Sequence, residues 1–318
     1  MTLITLLFLP LLGVSATWYH ATEAWVGPNL LPNFEFDAIP DPTHGRVLYV
    51  NETVAFAEDL VQVFPDSVII AADHTTTLTA DGPGRKSIRL RSKVQYTDGV
   101  TVFDIRHMPE GCGTWPAVWS FGDDWPNGGE IDIVEGDNDR PYNKATLHTA
   151  KGCSMPPLRL QTGTIDQADC DASVNYNHGC SVIDRHPLSF GPPFNANGGG
   201  WFAMEKTAEF IKVWFWARDD LWVPEDVREG EDVVKPAFWG IPMAHFPNTQ
   251  CDMDKFFGPQ NIIINLTFCG DLAGNTYANT TCPSTCVDYV DNNPEAFKNA
   301  FFDLASIRRY ETDAFGTY

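Results

Sequence analysis

The run Gly128-Gly129-Glu130-Ile131-Asp132-Ile133-Val134-Glu135-Gly136 constrains the fold more than any other part of the chain. Glycines bound it on both sides and β-branched residues fill its middle, so it reads as a strand. Under strict period two, Glu130 and Asp132 share one face while Ile131 and Ile133 face a core. Val134 would then join the acids and Glu135 would point inward, where an unpaired carboxylate is costly. One extra residue, a β-bulge near Val134, removes both faults and returns Glu135 to the side of Glu130 and Asp132. With the glutamates four places apart, their Cα atoms lie about 13 Å apart at about 3.3 Å per residue. Their tips converge only on a concave sheet, so the run also predicts a curved sheet that lines a cleft.

Three acids on one face repel one another, an arrangement a purely structural strand avoids. It suits glycoside hydrolysis with retention, which needs two carboxyl groups about 5 to 5.5 Å apart. One attacks the anomeric carbon and the other, protonated, protonates the leaving oxygen. Asp132 between them influences which group holds the proton, because interacting acids titrate as a set. A solvated acidic edge strand is the plain alternative in a chain with 42 Asp and Glu.

The rest of the chain reads as short strands between turns. Ile88, Leu90, Val94 and Tyr96 alternate with polar residues, Thr97-Asp98-Gly99 turns, and residues 100–105 continue as a strand. Residues 201–204 and 210–216 form two more strands, and 261–268 reads as a strand buried on both faces. Helices are expected only over residues 52–61 and 294–300. No linker or repeat divides the 318 residues, and 25 Gly and 23 Pro supply turns. The expectation is an all-β chain, two antiparallel sheets packed as a sandwich, forming one domain over residues 17–318.

The formal charge of −21 argues against nucleic acid and against an anionic membrane surface. A neutral polymer fits better. Residues 1–16 form an uncharged apolar run ending in Val14-Ser15-Ala16, too short to span a bilayer, and read as a signal peptide cleaved near Ala16. The sequons at Asn51, Asn265 and Asn279 agree with export as glycosylation sites, and the last residues show no apolar tail for a lipid anchor. A soluble extracellular monomer is expected. Cys112, Cys153, Cys170, Cys180, Cys251, Cys269, Cys282 and Cys286 are expected to pair as disulfides, with 105 pairings open. No metal-ligand spacing, G-x-S-x-G, Walker loop or G-x-G-x-x-G occurs, so no metal or cofactor is expected.

Trp115 and Trp119, four apart before the acid run, share a side and serve either as sugar platforms or as core. His148 lies on a strand expected beside the acids.

Gly111-Cys112-Gly113-Thr114-Trp115-Pro116-Ala117-Val118-Trp119, Trp125-Pro126-Asn127-Gly128-Gly129, the acid run and Thr146-Leu147-His148-Thr149 together resemble the fungal laminarinase-like branch of glycoside hydrolase family 16. Asp41-Pro42-Thr43-His44-Gly45, residues 197–205 and Thr267-Phe268-Cys269-Gly270-Asp271 extend the resemblance over nearly the whole chain. It implies a β-jelly-roll with an open cleft on a concave sheet. It also implies Glu130 as nucleophile, Asp132 as assistant, Glu135 as acid/base, His148 hydrogen-bonding near the nucleophile, and a β-glucan as substrate. The bulged E-x-D-x-x-E form resembles β-1,3-glucanases, whereas xyloglucan-acting members usually show E-x-D-x-E. Lys206 and Leu272 stand where the resemblance expects tryptophans, which predicts lost sugar-stacking surface. The competing functions are a β-glucan transglycosidase and a non-catalytic β-glucan-binding protein on the same fold.

Overall fold

The acid run forms the strand Glu130–Glu135, inside an eight-stranded antiparallel sheet. The order across that sheet is Thr164–Ile165, Cys180–Ile183, Lys144–His148, Glu130–Glu135, Thr114–Gly122, Gln260–Phe268, Arg89–Ser92 and Phe34–Phe36. This computed structural model describes residues 17–312, so the expected signal peptide lies outside the described residues.

A second antiparallel sheet of nine strands packs against the first. Its path runs Val233–Val234, Tyr19–Val26, Phe301–Glu311, Gly99–His107, Gly200–Lys206, Phe210–Ala217 and Ala244–Pro247. Val68–Ala71 also pairs with Phe301–Glu311, and Val61–Val63 pairs with Val68–Ala71. Between the sheets, Ile131, Ile133, Val134, Leu147 and Ile264 from the first meet Phe103, Phe202, Ile211 and Leu304 from the second in one buried cluster. Each such side chain contributes about 1.5 to 3 kcal/mol by leaving water. The sandwich expected from the alternation is therefore present.

The outer faces of the two sheets differ. On the nine-stranded sheet, Trp201, Trp214, Trp216 and Trp239 are buried in a second cluster together with Val223, Val227 and Val234. Much of the chain's tryptophan is spent there, as core filling. The outer face of the eight-stranded sheet carries the acids.

Two helical expectations change in extent. The helix expected over 52–61 ends at Ala57. Asn51 caps its start by accepting from the Val54 N–H, and Asp59, at φ 54°, turns the chain so that the Leu60 N–H returns to the Ala55 carbonyl at 2.9 Å. Val61 then begins a strand. The helix expected over 294–300 is a 3₁₀ turn, Pro294–Phe297. A true helix, Cys286–Asn292, precedes it, capped by Thr285. The alternation over 88–96 holds as a strand only to Ser92, and Val94 is exposed.

All eight cysteines pair: Cys112–Cys282, Cys153–Cys251, Cys170–Cys180 and Cys269–Cys286. The third lies where the strand beside Lys144–His148 begins, and the fourth just beyond the end of Gln260–Phe268.

Candidate active site

Against its neighbour Thr114–Gly122, the acid strand pairs Glu130 with Phe121 and Asp132 with Trp119. The register then slips, and Val134 pairs with Val118 and Glu135 with Ala117. Ile133 is the extra residue, one place before the expected position, and the outcome is the one the sequence demanded. Ile131, Ile133 and Val134 are all buried in the core, while Glu130, Asp132 and Glu135 face outward. By the same register they share that face with Trp115, Trp119, Ile263, Asn265 and Thr267.

On its other side the acid strand pairs with Lys144–His148 only as far as Glu130–His148, Ile131–Leu147 and Asp132–Thr146. Past that point the bulge breaks the ladder. The side chain of Asn143, fully buried, replaces the missing rungs: its Oδ1 accepts from the Glu135 N–H at 2.9 Å, and its Nδ2 donates to the Ile133 carbonyl at 2.9 Å. Sequence reasoning missed Asn143, because nothing in the run itself shows which residue will close a broken ladder.

The three acids sit in different electrical surroundings. Glu130 Oε2 accepts from the Trp125 indole N–H. Burial, then the charge of Asp132, push the Glu130 carboxyl up to about 8, although His148 and the Trp125 hydrogen bond oppose the rise. Asp132, 3% exposed, is raised by burial, with Glu135 adding and His148 and Lys144 opposing. His148 Nε2 lies 3.3 Å from Asp132 Oδ2, and its Nδ1 is 2.8 Å from Asn177 Oδ1. Burial lowers the His148 pKa, but Glu130, Asp132 and Glu135 outweigh it and raise it to about 9. The imidazole is thus a cation at neutral pH. Glu135 Oε1 accepts from the Trp115 indole N–H at 3.1 Å, and its Oε2 lies 3.5 Å from Lys144 Nζ.

Glu130, Asp132 and His148 each bring one atom within 4.8 Å of the others, close enough to hold a cation. A protonated imidazole offers no lone pair, however, so the cluster reads as an ion pair beside a carboxylic acid. Two glutamates flanking an aspartate, with one proton to share among them, can supply a nucleophile and an acid.

Trp115 and Trp119 are both half-buried on the outer face and not in the core between the sheets. Trp119 donates to Asn265 Oδ1 at 2.7 Å, stacks on Phe121 and lies under Arg89. Asn265 corrects an expectation. It is 6% exposed, in the middle of a strand, and its amide also donates to the Tyr49 hydroxyl at 2.9 Å. A side chain held at both ends inside a sheet cannot carry a glycan in the folded protein. Asn51 and Asn279 are exposed. Lys144, Trp125 and Asn177 also escaped the sequence reading. Trp125 had a signal, its place in the Trp-Pro-Asn-Gly-Gly run that leads into the acid strand.

The bulged triad belongs to a known family: the family model for "XgeA-like, catalytic GH16 domain" matches residues 34–310. The chain belongs to glycoside hydrolase family 16. It is 43% identical over 300 residues to a probable glycosidase of Schizosaccharomyces pombe, covering 93% of this chain and 70% of that one. It is 38% identical to an endo-1,3(4)-β-glucanase of Emericella nidulans, over 95% of this chain and 49% of that one. The chain spans less than half the length of that relative. Among solved structures, the family 16 laminarinase 16A of Phanerochaete chrysosporium, seen with two β-glucans in donor and acceptor sites, superposes with a TM-score of 0.91 at 52% identity, covering 92% and 99% of the two chains. An elongating family 16 β-1,3-glucosyltransferase superposes with 0.86 at 40% identity, covering 92% and 99%. The family 16 fold is the β-jelly-roll that the sandwich forms here, and the chain is a glycoside hydrolase.

Within that frame the scattered family 16 motifs converge. Asp41 Oδ2 accepts from Thr267 Oγ1 at 2.6 Å and from the Gly45 N–H at 3.0 Å, and His44 pairs with Asp271 at 2.9 Å. Lys206 corrects a second expectation. It ends a strand of the nine-stranded sheet, is 3% exposed, and holds Asp98 Oδ1 at 2.6 Å, so its replacing a tryptophan removes nothing from the acid-bearing face. Leu272, half-buried, lies in the Gly270–Gly274 turn beyond the strand that carries Thr267.

Proposed function

We propose that the chain is a secreted, retaining endo-β-1,3(4)-glucanase that cleaves laminarin-type β-1,3-glucans within the chain. One observation carries the reading: a bulge places Glu130, Asp132 and Glu135 on one outward face, each with its own charged or hydrogen-bonding partner. Glu130 attacks the anomeric carbon, and Glu135 gives its proton to the leaving oxygen and later takes one from water. Asp132, paired with His148, steadies Glu130. In the resting site burial raises both Glu130, to about 8, and Asp132, so the shared proton favours that pair. The positive charge that develops on the sugar in the transition state favours the ionised form of the carboxylate facing it. The proton therefore passes to Glu135 before the glycosidic bond breaks, and Glu135 delivers it to the leaving oxygen as Glu130 attacks.

The relatives support the substrate class through the activities in their names. The four disulfides support an oxidising destination, and no helix among the described residues is long and apolar enough to cross a membrane. The test is a polysaccharide panel with product sizing. Laminarin should fall to short oligosaccharides with internal cleavage, and mixed-linkage glucan should be cut beside β-1,3 bonds. Activity on xyloglucan or carboxymethyl-cellulose with none on laminarin would overturn the substrate, and α-anomer appearing first by NMR would overturn retention.

A second reading is favoured by the glucosyltransferase likeness. The same covalent intermediate can pass to a sugar acceptor in place of water. Products longer than the starting oligosaccharide at high acceptor concentration would decide for transfer.

A further inference from the structure

We infer that Asn143 is a positioning residue for proton donation by Glu135, holding the main chain of the bulge so that the acid is aimed at the leaving oxygen. This rests on the reading of Glu135 as acid/base. A bulge moves one residue's peptide groups out of the ladder, and buried N–H and C=O groups without partners are costly. Here the pairing of the acid strand with Lys144–His148 stops at Asp132–Thr146. The next inward groups, the Ile133 carbonyl and the Glu135 N–H, would both be stranded. Asn143 meets both with the two ends of one amide, at 2.9 Å each. This geometry also fixes which end is oxygen, because only Oδ1 can accept from an N–H.

Asn143 is itself clamped. Its own N–H donates to Ser189 Oγ at 3.1 Å, and its carbonyl accepts from the Asp184 N–H at 2.9 Å. Its exposure is 0%. The side chain therefore has one place to be, and the Glu135 backbone is referred to it. The next residue, Lys144, sets its Nζ 3.5 Å from Glu135 Oε2. Two consecutive residues thus hold opposite ends of the same glutamate, Asn143 the main chain and Lys144 the carboxylate. Glu130, five residues earlier, lies in the regular part of the ladder and needs neither. Loss of Asn143 should loosen Glu135 and leave Glu130 in place.

The test compares two substrates. Laminarin has a sugar-alcohol leaving group that needs a proton, whereas a 2,4-dinitrophenyl β-laminarioligosaccharide has one that leaves without it, so a fault in the acid shows on the first alone. Asn143→Ala should lower kcat/KM on laminarin about 10- to 100-fold and change it on the aryl substrate less than about threefold. KM for laminarin should stay near wild type. Should Asn143→Ala fail to fold, Asn143→Asp keeps the acceptor for the Glu135 N–H and is measured on the same two substrates. An equal loss on both substrates would overturn the proposal in favour of general loosening, and so would no loss on either. Glu135→Ala run alongside separates the two claims. If it keeps wild-type kcat/KM on laminarin, the acid/base reading fails. If it loses laminarin activity while Asn143→Ala does not, the acid/base reading stands and the positioning role falls.

Discussion

The two glutamates sit on one strand, five residues apart counting the bulge, yet in opposite company. Glu130 lies beside another acid, Asp132, takes one indole hydrogen bond, and shares the His148 cation with Asp132. Glu135 lies beside a base, Lys144, and takes the other indole hydrogen bond. Burial consequently favours a proton within the Glu130–Asp132 pair in the resting site, the reverse of what attack by Glu130 requires. The contrast teaches that resting electrostatics and catalytic role need not coincide when the substrate itself brings charge to the site.

The largest effects should come from removing either carboxylate. Glu130→Ala and Glu135→Ala should each lose about 10²- to 10⁴-fold or more of laminarin turnover. Added azide tells the roles apart. In Glu135→Ala, azide takes the sugar from the glycosyl-enzyme and yields a β-glycosyl azide; in Glu130→Ala, it replaces the missing nucleophile and yields an α-glycosyl azide. The opposite pattern of anomers would exchange the two roles and make resting electrostatics the better guide after all.

A smaller effect should appear in the pH profile. One proton must remain on the set for an acid to exist, and the set holds it until about 8. The alkaline limb of kcat/KM should therefore fall with a midpoint near 8. His148 opposes the rise at Glu130, so His148→Gln should move that limb upward. A limb that stays put, or moves down, would remove His148 from the electrostatics of the site.

The smallest effect is on stability. The Glu130 pKa is raised in the fold from 4.5 to about 8, so its contribution is fully present below 4.5 and is lost as pH rises through 8. Glutamine undergoes no such loss. Glu130→Gln should gain on wild type between pH 5 and pH 8 by about 1 to 2 kcal/mol, the shift being discounted because the carboxylate is partly exposed. Melting curves at the two pH values measure it, and a constant difference would show that Glu130 is not held uncharged in the folded state.

The fold was legible because period-two alternation and turn residues are local signals. The bulge was legible too, since Val134 and Glu135 each faced the wrong way without it. What stayed hidden is what the second half of the chain brings to the first. Lys206 looked like a loss to the cleft because its sheet cannot be read from its neighbours. Asn265 looked like a glycan site because a sequon is three residues long and its burial is decided by Trp119 and Tyr49, far away in sequence. Disulfide pairing was hidden for the same reason. Asn143 could be found only after the ladder was seen to break.

The slipped register also bears on how such a strand could change over generations. Deleting Ile133 alone would leave the acids at every second position, still sharing a face, and would convert the bulged spelling into the shorter one. The amide of Asn143 would then lose the groups it now serves and become an unmatched polar side chain in the interior, a burden that only a second substitution could lift. The two spellings are one codon apart in length but at least two changes apart in fitness. A lineage crossing from one to the other passes through a less stable intermediate whichever change comes first, since losing Asn143 before the deletion strands the Ile133 carbonyl and the Glu135 N–H.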